Sequence, residues 1–322
     1  MTSRRDVLTG LGALLASGLA RGADTAPYPA RPIQVIVPRA PGGGSDNLAR
    51  ILAPAMQKRS GHAFVIENRP DASAVVGAVA VAQAQPDGHT VFLADNAFYQ
   101  NPAVLGSLPY DTLRQFAGVT MLAQGPVILV THPSLPARDV KELVQYAKDH
   151  PGKVSYGSGG IGASTHLAGV LFDLAAGVQT THVPFKSSGP AMQALLGGHI
   201  SMQWGGISSA RQHVESGKIR AIAVTGRRRD PSMPNVPTFE EAGLKGVDMT
   251  SIWGIHAPAG TPLAVRRALR DMLVEVMRQP EATAKLAEQG YDILGTTPEE
   301  HDAETRRLVN FWVELGKKIK LN

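Results

Sequence analysis

The stretch VPRAPGGGSDNLAR, residues 37–50, places three consecutive glycines between a β-branched run and a helical pattern. The run IQVIV at residues 33–37 predicts a buried strand, and apolar residues at helical spacing predict a helix over residues 46–58. This order of strand, tight loop and helix exposes backbone N–H groups at the positive end of a helix dipole. Because glycines let a ligand approach the backbone closely, the stretch indicates a site for a phosphate or a carboxylate.

Short apolar runs and helical segments continue to alternate along the chain, which favours parallel sheets. The predicted strands lie at residues 63–67, 90–94, 127–131, 154–156, 181–183, 200–204 and 219–225. The predicted helices lie at residues 75–84, 140–149, 166–176, 191–196, 262–279 and 298–318. A second glycine-rich loop, GSGGIGAST at residues 157–165, again joins a strand to a helix. We therefore expect an α/β protein of two lobes that face each other, each with its own sheet.

Composition limits the classes of function. The 322 residues are 43% hydrophobic, which is enough to form two cores. The net charge is +5, and apart from Arg227-Arg228-Arg229 and Lys317-Lys318 the basic residues are dispersed, so we interpret these runs as solvated and expect no nucleic-acid partner. The chain has no cysteine, which excludes disulfides, thiolate catalysis and zinc–thiolate sites.

The N-terminus has the layout of an export signal. Arg4 and Arg5 precede an apolar run of small residues from Leu8 to Ala20, and Ala23 offers a cleavage site. The arginine pair is also typical of a twin-arginine signal, and an ordinary secretory signal is the alternative. The run is too short to span a bilayer permanently. We expect residues 1–26 to be removed and the mature protein to be periplasmic.

An ordered series of short motifs resembles the tripartite tricarboxylate transporter receptors, also called Bug receptors. These motifs cover nearly all of the chain after residue 27 and read YPARPI (28–33), IVP (36–38), PGGGSD (41–46), ENRP (67–70), PDGHT (86–90), LPYD (108–111), HVPFK (182–186), SGKIRA (216–221), VPTFEEAG (236–243) and APAGTP (257–262). Each motif is weak alone, but their order along the chain is specific.

The resemblance implies a periplasmic binding protein type II fold, in which two lobes bend about a hinge and enclose the ligand. Members of the family bind small carboxylates without changing them covalently and usually deliver them to a membrane transporter. We expect one lobe at residues 27–124 with 253–322 and the other at residues 125–252, joined by two crossing strands. No cofactor or metal is implied, and we expect a monomer.

This sequence departs from the family pattern around the expected pocket. Arg39 stands where the family often has an aromatic or apolar residue, and residues 71–75 read DASAV where glycines are usual. Ser187 replaces a usual glycine, and Gly205-Gly206 follows the strand that often leads into an aspartate. These changes leave the identity of the ligand open and suggest a roomier pocket beside Trp204.

The two glycine-rich loops supply the first candidate ligand-binding residues. We expect Gly42, Gly43 and Gly44 to hold one carboxylate through backbone N–H groups or ordered water. Asp46 is interpreted as the N-cap of its helix and as a structural member of the site. In the second loop the candidates are Ser158, Ser164 and Thr165, whose hydroxyls could either cap the helix or bind a second carboxylate.

Further candidates lie at the ends of predicted strands. Phe185 could cover an apolar ligand body, Lys186 could supply charge or lie at the surface, and Ser187 could bring its backbone N–H to the cleft. Arg39 suits bidentate recognition of a carboxylate, with a solvent-exposed position as the alternative. Asn96 follows the strand at 90–94, at an edge where open α/β sheets bind ligands. Trp204 is either part of a core or a wall of the pocket.

Catalysis is not expected, because no nucleophile elbow, paired histidine motif or Walker loop occurs. Two alternatives to a transport receptor are compatible with the sequence. The same binding lobes could report a ligand to a membrane kinase, and Ser158 or Ser164 could serve a periplasmic hydrolase, although neither serine has a defined base nearby in the sequence.

Overall fold

The computed structural model describes residues 28–71 and 73–317. The predicted export signal at residues 1–26 lies outside these residues. Among the helices of the described part, none is both long and apolar enough to cross a membrane.

Strands and helices alternate through most of the chain. The strands are β1 (Ile33–Val37), β2 (Phe64–Asn68), β3 (Thr90–Ala94), β4 (Phe116–Thr131), β5 (Ser155–Ser158), β6 (Thr181–Pro184), β7 (Met202–Gly206), β8 (Arg220–Val224), β9 (Thr250–Pro258) and β10 (Asp292–Ile293). The helices are α1 (Gly44–Ser60), α2 (Val75–Ala82), α3 (Asn96–Val104), α4 (Val140–Asp149), α5 (Ser164–Ala176), α6 (Ser188–Leu196), α7 (Ile207–Glu215), α8 (Leu263–Met277), α9 (Pro280–Glu288) and α10 (Pro298–Gly316).

The first sheet has the order β2-β1-β3-β9-β4, with β10 added to β4. β1 pairs in parallel with β2 and β3, whereas β9 runs antiparallel to β3 and β4. Four of the five residues of β1 are buried, as expected of a parallel strand covered by helices on both faces. This covering explains why its sequence is an almost continuous apolar run.

The second sheet contains the parallel strands β6, β5 and β7, next to β4. β4 also pairs antiparallel with β8. The 16-residue strand β4 therefore belongs to both sheets. Where it passes from one sheet to the other, Gln124 and Pro126 pair with Ile252 and Thr250 of β9. The two sheets are thus joined by a pair of adjacent strands, as the two-lobed fold requires.

Each lobe has its own core, but two helices reach across the expected lobe boundaries. The core of the first lobe contains Val35 and Leu48, and that of the second contains Leu167. Val104 of α3 and Trp312 of α10 pack with the second core, although both lie in segments that the sequence places in the first lobe. The residue bounds 27–124, 125–252 and 253–322 therefore stay a prediction.

Most predicted elements form within a few residues of their expected ends. The helix predicted over residues 46–58 begins earlier, at Gly44, and α4 has the predicted ends. The sequence interpretation missed α3, α7, α9, the hinge strand β9 and the short strand β10, and it predicted only residues 127–131 of β4. The helical pattern of α3 is interrupted by Pro102, and α7 (ISSARQHVE) is largely polar, so neither offered a clear amphipathic signal.

Candidate ligand-binding site

A cavity of about 60 Å³ lies between the lobes, where the carboxyl ends of the strands face each other. Both glycine-rich loops line it. The Ala40 N–H donates to the Lys186 carbonyl at 3.2 Å and so joins the two lobes at the rim of the cavity. Ser164 Oγ lies 2.7 Å from Ser251 Oγ on the hinge strand β9. The space suffices for only a few water-sized molecules, so the cleft is closed in this structure.

Five helix N-termini from the described part of the chain meet at this cavity. They belong to α1, α3, α5, α6 and α7, which begin at Gly44, Asn96, Ser164, Ser188 and Ile207. The first N–H groups of a helix have no intrahelical acceptor, and each helix dipole places about half a positive charge at its N-terminus. The arrangement therefore favours an anion in the cavity.

The first glycine loop needs its glycines for two different reasons. Gly42 has φ +82°, a conformation that residues with a side chain rarely adopt. A Cβ on Gly44 would lie 2.8 Å from the Trp253 ring, and one on Gly43 would lie 3.0 Å from the Cβ of Ser187 in the opposite lobe. Gly42, Gly43 and Gly44 all line the cavity, so a ligand there meets bare backbone.

Asp46 is not the N-cap of α1, because the helix begins two residues earlier and Gly43 occupies the cap position. Its carboxylate accepts hydrogen bonds from the Gly42 N–H, Arg50 Nε and Asn68 Nδ2. Burial raises the pKa of Asp46, but these hydrogen bonds outweigh burial and hold the pKa below its ordinary value. Asp46 thus braces the loop and is not among the described residues that line the cavity.

Arg39 lines the cavity but holds protein groups of both lobes. Its Nε and one terminal nitrogen contact the two carboxylate oxygens of Asp95 at 2.6 and 3.2 Å, and its other terminal nitrogen donates to the Gly159 carbonyl at 2.8 Å. The solvent-exposed alternative is wrong, because Arg39 is only 3% exposed. Asp95 also caps α3 by accepting the Ala97 N–H. The guanidinium thus joins two loops across the cleft.

In the second glycine loop, Ser164 and Thr165 line the cavity and Ser158 does not. Thr165 Oγ1 accepts the Gly159 N–H at 2.8 Å, which fixes the loop backbone. Ser158 is fully buried, and its Oγ lies 2.7 Å from His182 Nε2. The structure thus supplies the base that the sequence did not reveal, but it buries the serine hydroxyl away from the cavity.

Three other candidates lie outside the lining of the cavity. Trp204 is fully buried and packs between Phe172 and Phe239 in the second core, so it is not a pocket wall. Phe185 packs against a neighbouring apolar cluster, and the side chain of Lys186 is exposed. Neither is among the described residues that line the cavity, and only the Lys186 carbonyl contributes to the rim.

Ser187 and Asn96 both line the cavity, with different consequences. Ser187 is 1% exposed, and its Oγ has no hydrogen-bond partner among the described residues. The Asn96 amide donates to the Thr250 carbonyl at 2.9 Å and accepts the Ile252 N–H at 2.8 Å. Asn96 therefore holds the hinge strand β9, whereas Ser187 presents an unused hydroxyl to a ligand.

The sequence interpretation missed two parts of the site. Ser208 and Ser209 line the cavity at the start of α7, and the pattern Gly205-Gly206 followed by two serines after a strand could have revealed them. Trp253 and Tyr291 form a wall with ring centroids 4.8 Å apart, but no local motif marks either aromatic residue. Trp253 Nε1 donates to Ser45 Oγ and Tyr291 Oη donates to the Gly44 carbonyl, so this wall fixes the first glycine loop.

The cavity is rich in hydroxyl groups and poor in charge. Arg39 and Asp95 are the only charged side chains among the described residues that line it. No group of three or more acidic, histidine or cysteine residues that could hold a metal ion occurs in the described part of the chain. Backbone N–H groups, hydroxyls and helix dipoles are thus what this cavity offers to a ligand.

Comparison with known proteins agrees with this architecture. Residues 48–313 match the family described as Tripartite tricarboxylate transporter family receptor. A UPF0065 protein in the tcbD-tcbE intergenic region of Pseudomonas sp. (strain P51) is 33% identical, over 99% of this chain and 95% of its own length. Protein BugT of Bordetella pertussis is 31% identical over 98% of both chains.

Solved structures show the same fold. The periplasmic binding protein BugD has a TM-score of 0.86 and 34% identity, over 90% of this chain and 98% of its own. Rhodopseudomonas palustris Rpa4515 with adipate has a TM-score of 0.86 and 30% identity, over 90% and 97% of the two chains. MatC from the same organism, with bound malate, has a TM-score of 0.83 and 29% identity, over 90% and 100%. The chain therefore belongs to the tripartite tricarboxylate transporter receptor family of periplasmic solute-binding proteins.

Proposed function

We propose that this protein is a periplasmic receptor that binds a small organic carboxylate between its lobes and delivers it to a membrane transporter. The observation that carries the proposal is the convergence of helix N-termini from both lobes on one cavity. Such termini favour anions, and the exposed backbone of the glycine loops lets a carboxylate approach closely. The relatives solved with adipate and malate support a carboxylate as the ligand class.

Binding is coupled to closure of the lobes. A ligand that contacts the loop at Gly42–Gly44 and the N-termini of α5, α6 and α7 makes all its contacts only when the lobes meet. It therefore shifts the hinge equilibrium towards the closed form, which the transporter then recognises. The hinge consists of the paired strands β4 and β9, and residues 27–124 with 253–322 move against residues 125–252.

The receptor releases its ligand without having changed it covalently. Ser158, the serine with a histidine partner, is fully buried beneath its loop, and Ser164 contacts another serine. Neither arrangement offers an activated nucleophile to the cavity. We further propose that residues 1–26 direct export to the periplasm and that the mature receptor acts as a monomer.

Thermal unfolding of residues 27–322 against a panel of organic acids tests this function. A ligand present at a hundred times its dissociation constant stabilises the native state by roughly 2.7 kcal/mol, which raises the melting temperature by a few degrees. We expect one class of carboxylates to do so. Ser187→Ala should reduce the shift, whereas Ser107→Ala, at an exposed serine outside the cavity, should preserve it. Stabilisation by amines or sugars and by no acid would contradict the proposal.

A further inference from the structure

The helices of the two lobes present different fields to the cavity. α5, α6 and α7 of the second lobe have no acidic residue in their first turn, and their N-caps Ala163, Ser187 and Gly206 make no side-chain capping hydrogen bond. Each of these helices has nine or more residues, so the dipoles are developed. The second lobe therefore offers N-terminal N–H groups whose positive field no side chain offsets.

In the first lobe, carboxylate side chains offset the positive field of the helix N-termini. Asp46 lies in the first turn of α1, where its carboxylate already accepts the Gly42 N–H. Asp95 caps α3 and accepts the Ala97 N–H at 3.0 Å. A carboxylate near a helix N-terminus counteracts the positive end of the dipole. An anion therefore gains less from the first lobe than from the second.

Arg39 does not restore positive charge to the first lobe. Its guanidinium holds both carboxylate oxygens of Asp95, and the two side chains are 4% and 10% exposed. Together they form a wall of the cavity with no net charge. Such a pair can still exchange hydrogen bonds with a ligand, but it gives little preference for a charged group over a neutral one.

A buried hydroxyl marks the place of the anion. Ser187 lies at the N-cap of α6, and its Oγ has no hydrogen-bond partner in the described part of the chain. A buried hydroxyl without a partner is costly, and a ligand oxygen at this position would supply the missing hydrogen bond. The hydroxyl and the three uncapped helices thus belong to the same side of the cleft.

We propose that the ligand has a single negative charge, held by the second lobe through Ser187 and the N-termini of α5, α6 and α7. Its other end is a neutral hydrogen-bonding group, such as an amide or a hydroxyl, and lies against the Arg39–Asp95 wall. This inference rests on the proposed function and narrows its ligand class. It would distinguish this protein from the relatives solved with adipate and malate, both of which are dicarboxylates.

Compounds of equal length but different charge test whether the ligand has one negative charge or two. Succinate, succinamate and succinamide have two, one and no negative charges at equal size, and the same series extends to six carbons. We expect isothermal titration calorimetry of the mature receptor to show that, at one length, the monoamide binds about tenfold or more tightly than both the dicarboxylate and the diamide. Tighter binding of the dicarboxylate overturns the inference and leaves the proposed function standing. If neither these acids nor a wider panel of carboxylates binds, the proposed function fails as well.

Asp95→Asn tests the neutral wall directly. Asparagine still caps a helix, so α3 keeps its N-cap, but the positive charge of Arg39 is no longer balanced. We expect the preference to shift about tenfold towards the dicarboxylate. Asp139→Asn is the matched control, because Asp139 caps α4 on the outer surface, and it should leave the preference unchanged. An unchanged preference in Asp95→Asn would show that the Arg39–Asp95 pair does not select the ligand charge.

Ser187→Ala locates the anion. The substitution should weaken monoamide and dicarboxylate binding by a similar factor, since both would place a carboxylate on the second lobe. If Ser187→Ala leaves monoamide binding unchanged, the carboxylate does not contact Ser187 and the proposed orientation is wrong.

Discussion

His166 and His182 stack behind the second glycine-rich loop, with ring centroids 4.2 Å apart and planes 18° apart. The Gly162 N–H donates to His166 Nδ1 at 3.2 Å, and Ser158 Oγ lies 2.7 Å from His182 Nε2. Burial lowers the pKa of His166 to about 4, and burial together with the neighbouring His166 lowers the pKa of His182 to about 3. Two neutral imidazoles therefore support the loop that lines the cavity.

Protonation of His166 and His182 at acid pH should destabilise the protein. Both pKa values are lower in the folded than in the unfolded state, so the unfolded chain binds more protons below pH 6.5. The stability that the neutral imidazoles provide is complete above that pH and is lost as the pH falls from about 6.5 towards 4. Urea unfolding at pH 7.5, 6 and 5 measures this loss. His182→Gln should flatten the pH dependence and exposed His199→Gln should not; equal slopes would contradict the assignment.

Gly43→Ala should impair closure without unfolding the protein. The new Cβ would lie 3.0 Å from the Cβ of Ser187, which belongs to the opposite lobe, so the contact arises only when the lobes meet. We expect ligand affinity to fall about tenfold, which corresponds to an overpacking cost near the low end of ~1–3 kcal/mol. The melting temperature of the unliganded protein should change little. Calorimetry gives the affinity, and X-ray scattering with saturating ligand should show a larger fraction of open molecules than in the wild type.

Gly44→Ala provides the contrast. Here the Cβ would lie 2.8 Å from the ring of Trp253, which is buried in the same lobe. The clash is present whether the lobes are open or closed, so the unliganded protein should lose ~1–3 kcal/mol of unfolding free energy. Urea unfolding of both variants checks the distinction. Equal losses of stability in Gly43→Ala and Gly44→Ala would mean that the cleft does not open in solution.

Ala74→Gly should stabilise the protein. Ala74 precedes α2 with φ +62°, a conformation that costs a residue with a side chain ~1–2 kcal/mol. Glycine removes this strain but loses more conformational entropy on folding, so we expect a net gain of up to ~1 kcal/mol. Urea unfolding measures the gain. Ala137→Gly is the control, because Ala137 is a buried alanine that is not among the described residues with positive φ, and it should destabilise the protein. A loss of unfolding free energy in both variants would contradict the backbone strain at Ala74.

Trp204→Phe should affect stability and spare the ligand. The indole is fully buried, and its Nε1 has no hydrogen-bond partner in the described part of the chain. Phenylalanine removes the unsatisfied N–H but leaves a gap beside Phe172 and Phe239, and we expect a net loss of ~1–2 kcal/mol of unfolding free energy. Calorimetry should give an unchanged dissociation constant. A clear change in the dissociation constant would show that Trp204 contributes to the pocket wall.

The sequence predicts well what is decided locally. The strand β1, the glycine loop and the helix α1 follow one another within residues 33–60, and each has a pattern that short-range physics explains. The two-lobed fold also follows, because the motif series extends along nearly the whole chain. By contrast, Asp46 looks like an N-cap in the sequence, but α1 begins at Gly44. Trp253 and Tyr291 contact its first two residues, through Ser45 Oγ and the Gly44 carbonyl.

The rest of the site depends on long-range contacts. Tyr291 reaches Gly44 across 247 positions, and no local pattern marks that contact. Trp204 is buried because helix α5 covers that face of β7, and a strand buried on both faces does not reveal which side faces the cleft. For Arg39, the residue type suggested a carboxylate partner, but only the fold shows that the partner is Asp95, 56 positions away.

The sheet order also makes this protein suitable for building an optical reporter. β2 and β6 occupy opposite ends of the strand path β2-β1-β3-β9-β4-β7-β5-β6, with Val65 and Thr181 exposed on them. The sequence contains no cysteine, so two cysteines introduced at these positions would be the only attachment points for a pair of dyes. Energy transfer between the dyes would then follow the opening and closing of a single molecule.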